Sequence, residues 1–148
     1  MSDDDFVPRF VRALIASGRV IAALGEAARW GDQEMVLQLL DRGVDVNAFE
    51  ENGCTPLMLA ASGGQLAVMR ILLERGARIN DRDGGTGKTA LMWGLSALHS
   101  QSDYQQIIGL LLEYGADPCL PDIQGITPLK LAQRRGHCVA ALLEAPTK

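Results

Sequence analysis

The sequence is poor in the side chains that usually carry chemistry. Its 148 residues include three cysteines and two histidines. Cys54, Cys119 and Cys138 are scattered and odd in number, with no Cys-x-x-Cys pair, so neither a disulfide framework nor a thiolate zinc site is indicated and a reducing, cytoplasmic setting fits. His99 and His137 stand apart with no repeated acidic spacing around either, so no metal centre, His-based triad or cofactor is expected. Aromatic residues make up 5% of the chain against 47% apolar, which suits many small contacts rather than a few large ones. The net charge of −4 argues against nonspecific binding to nucleic acid or a membrane surface, which needs a basic face. No apolar run is long enough to span a bilayer, and the acidic start Met1-Ser-Asp-Asp-Asp5 does not read as a secretory signal.

What the chain does have is repetition. Gly31 recurs at Gly64, Gly43 at Gly76 and Asn47 at Asn80, each 33 residues on. A fixed step of this size signals a solenoid, whose units bury their apolar faces only against one another. Within each unit the residues have local reasons. Thr55, Thr89 and Thr127 are helix caps by type, and Pro56 and Pro128 follow where a first helical residue needs no N–H partner. Gly31, Gly64 and Gly136 fall one short helix later. Val68, Met69, Leu72 and Leu73 then have the spacing of a second helix packed on a neighbour, and Gly76 closes it.

The cleanest copy runs from Glu51 through Thr55-Pro-Leu57 and Gly63-Gly64 to Gly76-Ala77, and it resembles an ankyrin repeat nearly end to end. Gly125-Ile-Thr-Pro-Leu-Lys-Leu-Ala132, followed by Gly136-His137, is a second match. Gly87-Lys-Thr-Ala-Leu-Met-Trp-Gly94 with Leu110-Leu-Leu-Glu-Tyr-Gly-Ala-Asp117 is a third. The first copy keeps Ala27-Ala28, Gly31-Asp32 and Gly43-Val-Asp-Val-Asn47. The resemblance implies an all-α solenoid of about four helix-turn-helix units with short hairpin-like loops. The units fall at about 20–48, 49–81, 82–120 and 121–145, forming an ankyrin repeat domain over 20–148. Residues 1–19 form an acidic tail and an extra helix, with Pro8 in its first turn, Gly18 at its end and Phe6, Phe10, Val11, Leu14 and Ile15 on one face. That helix either caps the first unit or serves as a partner-binding or dimerising surface.

Departures from the pattern are also visible. One residue is inserted between Asn80 and Gly87, and five more fall within the third copy, placed at Ser96–Asp103. They are either tolerated drift or part of a binding face. The histidine usual after Thr-Pro-Leu in this family, which stitches loops together, is replaced by Met58, Met92 and Lys130, and Cys119 replaces the turn asparagine of Asn47 and Asn80. Gly94 stands where Ala60 packs, which costs about 1 kcal/mol of helix propensity and marks the third unit as soft. Trp93 takes the inward place of Leu59.

Gly84-Gly-Thr-Gly-Lys-Thr89 looks like the end of a phosphate loop, but the required glycine five residues before Gly87 is Arg82, and Gly87 and Thr89 already align with Gly53 and Thr55. A nucleotide-dependent switch or enzyme is the rival reading, with self-assembly through the N-terminal helix a third. The resemblance implies instead a non-enzymatic protein-interaction module, such as an inhibitor, immunity or adaptor protein. It would act as a monomer, with no cofactor, and hold another protein on a concave groove. Carried over residue by residue, the tips contribute Phe49, Glu51, Asn52, Asp83, Lys88, Ile123 and Gln124, and the first-helix ends contribute Arg29, Trp30, Ser62, Arg134 and Arg135. Trp30, Phe49 and Ile123 are the expected anchors, because large exposed apolar groups need a partner. The alternative for Trp30 and Phe49 is that they fold back on their own unit.

Overall fold

A computed structural model describes residues 3–97 and 101–134. They form eight helices: α1 (Asp3–Ala16), α2 (Val20–Trp30), α3 (Gln33–Asp41), α4 (Pro56–Gly63), α5 (Leu66–Glu74), α6 (Ala90–Ser96), α7 (Gln101–Glu113) and α8 (Pro128–Arg134). The helices α2, α4, α6 and α8 pack side by side as an inner row, and α3, α5 and α7 form an outer row behind them. No strand occurs among the described residues.

The ends of the helices have the chemistry that the spacing predicts. Gly31 and Gly64 adopt φ of 78° and 70°, a left-handed turn that glycine enters without a Cβ clash. Their amides and the next ones bond back to Ala28 and Ala27, and to Ala61 and Ala60. Asp32 then accepts the Met35 N–H at 3.1 Å and starts α3. Thr55 accepts the Met58 N–H at 3.4 Å, and Thr127 accepts the Lys130 N–H at 3.2 Å. Thr89 does not cap α6: its Oγ1 is buried without a partner, so a residue of the right type at the right place remains unused.

Burial follows the repeat. Val36, Met69 and Ile108 are fully buried at equivalent places on the outer row, as are Leu39, Leu72 and Leu111. Leu24, Leu57 and Leu91 do the same on the inner row, and Ala23, Ala27, Ala28, Ala60, Ala61 and Ala90 let its helices approach closely. Trp93 is half-buried against this core, as its inward place predicts.

Three expectations are corrected. The helix α1 runs from Asp3, so Pro8 lies in the second turn and not the first. Val11 and Leu14 of α1 are buried, and the helix packs on α2. The Ser96–Asp103 insertion is not all connector: α7 has 13 residues against 9 in α5, so much of the extra length extends the helix. Tyr104 is buried there and its hydroxyl donates to the Ala97 carbonyl. Finally, the polar stitching left in doubt by the missing histidines is supplied elsewhere. Asn47 accepts the Arg78 N–H at 2.7 Å and donates to the Gly76 carbonyl at 3.1 Å, and Asn80 accepts the Asp117 N–H at 2.8 Å and donates to the Gly115 carbonyl at 3.3 Å. At the first missing histidine, the Met58 sulfur lies 3.4 Å from the Thr55 N–H as a weak acceptor.

Candidate protein-binding groove

Three turns precede α4, α6 and α8, each closed across its base by a backbone bond: Glu50 N–H to Cys54 carbonyl, Asp83 N–H to Lys88 carbonyl, and Asp122 N–H to Ile126 carbonyl, all 2.9 Å. Neighbouring tips are joined as well. The Gly84 amide donates to the Gly53 carbonyl and the Ile123 amide to the Thr86 carbonyl, both at 3.0 Å. The tips are therefore one connected row and not separate flaps.

The candidate residues divide into two rows at opposite ends of the inner helices. Phe49, Glu51, Asn52, Ile123 and Gln124 are exposed at the tips, and Lys88 is half-buried between them. Asn52 shapes its turn by accepting the Cys54 N–H at 3.0 Å. Arg29, Trp30 and Arg134 are exposed at the far helix ends with Ser62 half-buried. At 1.5 Å per residue, the 8 residues of α4 and the 11 of α2 separate the rows by roughly 12 to 16 Å. Trp30 folds back only in part: its Nε1 donates to Glu26 at 3.2 Å, yet the residue stays 56% exposed. Arg135, His137 and Cys138 lie outside the described residues, as does His99.

Asp83 must be withdrawn from the contact surface. It is buried, and its carboxylate is turned under the tip to accept the amides of Gly85 at 2.9 Å, Thr86, and Gly87 at 3.2 Å, the Thr86 hydroxyl, and Trp93 Nε1 at 3.0 Å. Burial alone would raise its pKa, but these donors outweigh that and hold the carboxyl below its ordinary value. The loop that resembles a phosphate site is thus an amide nest already filled by the chain's own anion. Cys54 is also buried; burial, with the nearby Asp83 and Glu50 charges, pushes its thiol up to about 11, so it is no nucleophile.

A cavity of about 410 Å³ lies beside the first tip, lined by residues 18–22 and 49–52. Val20 and Ile21 contribute exposed apolar surface to it, as does Phe49. Glu50 reaches inward over Gly25 of α2, where any Cβ would collide with its carboxyl, and its Oε1 is buried with no donor. Burial first and the Glu26 charge second push its pKa up to about 7. The sequence reading missed Val20 and Ile21, which look like ordinary core residues at a helix start; their signal is the absence of a tip loop before α2.

A family model for ankyrin repeats, in three copies, matches residues 8–83 and 24–122. The chain belongs to the ankyrin-repeat family, whose repeats are protein–protein interaction modules. Among curated proteins it is 38% identical over 113 residues to the ankyrin repeat, SAM and basic leucine zipper domain-containing protein 1 of Carollia perspicillata and to that of Oryctolagus cuniculus, covering 76% of this chain and 23% of each relative. It is 39% identical over 108 residues to the Equus caballus protein of the same name, covering 72% and 22%. The chain thus spans less than a quarter of the length of these relatives, which are named for their domains and not for a reaction.

Proposed function

We propose that this chain is a non-enzymatic module that holds another protein across its inner helices and turn tips, and acts by occluding or tethering that partner as an inhibitor, immunity or adaptor protein. One observation carries the reading: of the six large hydrophobic residues exposed among the described residues, Val20, Ile21, Trp30, Phe49 and Ile123 lie on inner helices or tips, with Tyr114 the exception. Such a concentration on one side costs solubility unless a partner covers it. The rival nucleotide reading lacks free donors, because the amides of Gly85, Thr86 and Gly87 already serve Asp83. Self-assembly through α1 loses Val11 and Leu14, which are committed to the core. The reading includes a monomer in a reducing cytoplasm; Cys54 and Cys119 are free thiols among the described residues, and no described helix is long and apolar enough to cross a membrane.

The test is affinity capture from the native host followed by surface plasmon resonance. Trp30→Ala should speed dissociation at least about tenfold, as for a desolvated aromatic anchor. Arg134→Glu should slow association and alter its salt dependence. Wild-type rates in both folded variants would show that the inner face is the wrong surface.

A further inference from the structure

The row of tips has a vacancy at its upstream end. The second tip donates a backbone N–H to the first and the third to the second, at 3.0 Å each, so every tip after the first leans on the one before it. The first has no such neighbour, because α1 connects to α2 through Ser17, Gly18 and Arg19 without a tip loop. Glu51 stands two residues before Gly53, as the donor Ile123 stands two before Gly125, and its amide bonds to nothing among the described residues. The cavity of about 410 Å³ occupies this place.

We propose that this vacancy receives an extended segment of a partner protein bearing a lysine or arginine beside an apolar side chain, the segment taking the position of a missing tip. This deepens the interaction reading above and rests on it. The apolar neighbour covers Val20, Ile21 and Phe49, which are 36%, 38% and 45% exposed. The cation meets the carboxyls of Glu51 and Glu50, both of which line the cavity, while the Glu50 Oε1 that lacks a donor is turned under the tip against Gly25. Charge favours a cation over an anion: Arg19 is already faced by Glu51 at 3.5 Å, Glu26 stands against Arg29, and a cation draws Glu50, whose pKa is pushed up to about 7, into its charged form. The Arg19–Glu51 pair is exposed on both sides and is worth little, so a segment entering the cavity displaces it cheaply. The backbone of the segment supplies the carbonyl that the Glu51 amide lacks, the mode by which extended peptides add to an open edge.

The experiment uses the full chain, labelled with nitrogen-15, and a capped hexapeptide, acetyl-Ala-Val-Leu-Lys-Val-Ala-amide. Saturable amide shifts centred on Arg19–Ala22 and Phe49–Asn52 are expected. Replacing the peptide lysine by norleucine should weaken binding at least about fivefold, and Glu50→Gln should do the same to the lysine peptide. The peptide change tests the contact without touching the fold. Three results would overturn the proposal: no shifts at these residues, equal binding of the lysine and norleucine peptides, or tighter binding when glutamate replaces lysine. The last would mean that the first turn of α2 and Arg19 take an anion instead. If a captured partner depends on Trp30 while the peptide fails, the vacancy is wrong and the interaction reading stands; the reverse pattern separates the two the other way.

Discussion

Asp83 shows how far a single side chain can depart from its place in a pattern. By alignment it sits at a solvent-facing tip; in the structure its carboxylate gathers three amides, a hydroxyl and an indole N–H. Removing it leaves those donors in a half-buried turn without an acceptor, so Asp83→Ala should cost about 1 to 3 kcal/mol in denaturant unfolding. The pH dependence has a definite sign. Because the folded pKa is depressed, the contribution is present above the ordinary aspartate range near 4 and is lost as pH falls through the folded value, so the acid-side loss of stability should be smaller in Asp83→Ala than in wild type. Thr89 makes the complementary point. Type and position predict caps at Thr55, Thr89 and Thr127, and two of the three form. Residue identity makes such a bond available, but whether it forms depends on local geometry that no single position specifies.

At the level of elements the sequence was more legible. Repetition placed α2 to α6 and their faces, and the buried alanines and leucines fall where the spacing put them. It failed where the repeat itself was interrupted. The extra residues of the third copy could have formed a loop or a longer helix, and periodicity cannot choose between these until Tyr104 and Ile107 are seen to pack. Gly94 is the instructive case, since propensity alone marks it as a weakness that alanine would cure by about 1 kcal/mol. A Cβ there would lie 3.1 Å from Ile107 Cγ2, so the glycine is what lets α7 settle against α6. Gly94→Ala should therefore leave the domain about 0.5 to 1.5 kcal/mol less stable by chemical denaturation, the opposite of the propensity estimate.

For the whole molecule, the groove was legible as a surface but not as a set of partners: exposure at Trp30, Phe49 and Ile123 follows from the pattern, whereas the cavity beside the first tip depends on a loop that is not there. Stability is transmitted between neighbouring units, through the buried rows and through Asn47 and Asn80. Asn80→Ala removes two bonds from the second turn to the third and should cost about 1 kcal/mol. By hydrogen exchange, amides from 101 to 126 should lose protection while those near Asn47 and Gly76 keep theirs. Equal loss throughout would mean that the units unfold as one block. The clasps made by these two asparagines span only 29 to 37 residues of chain. No distant segment has to be found before they close, which lowers the entropic barrier to assembly and favours fast folding. A nascent chain emerging from the ribosome can therefore lock its first clasp once Arg78 is free, before the third unit has emerged.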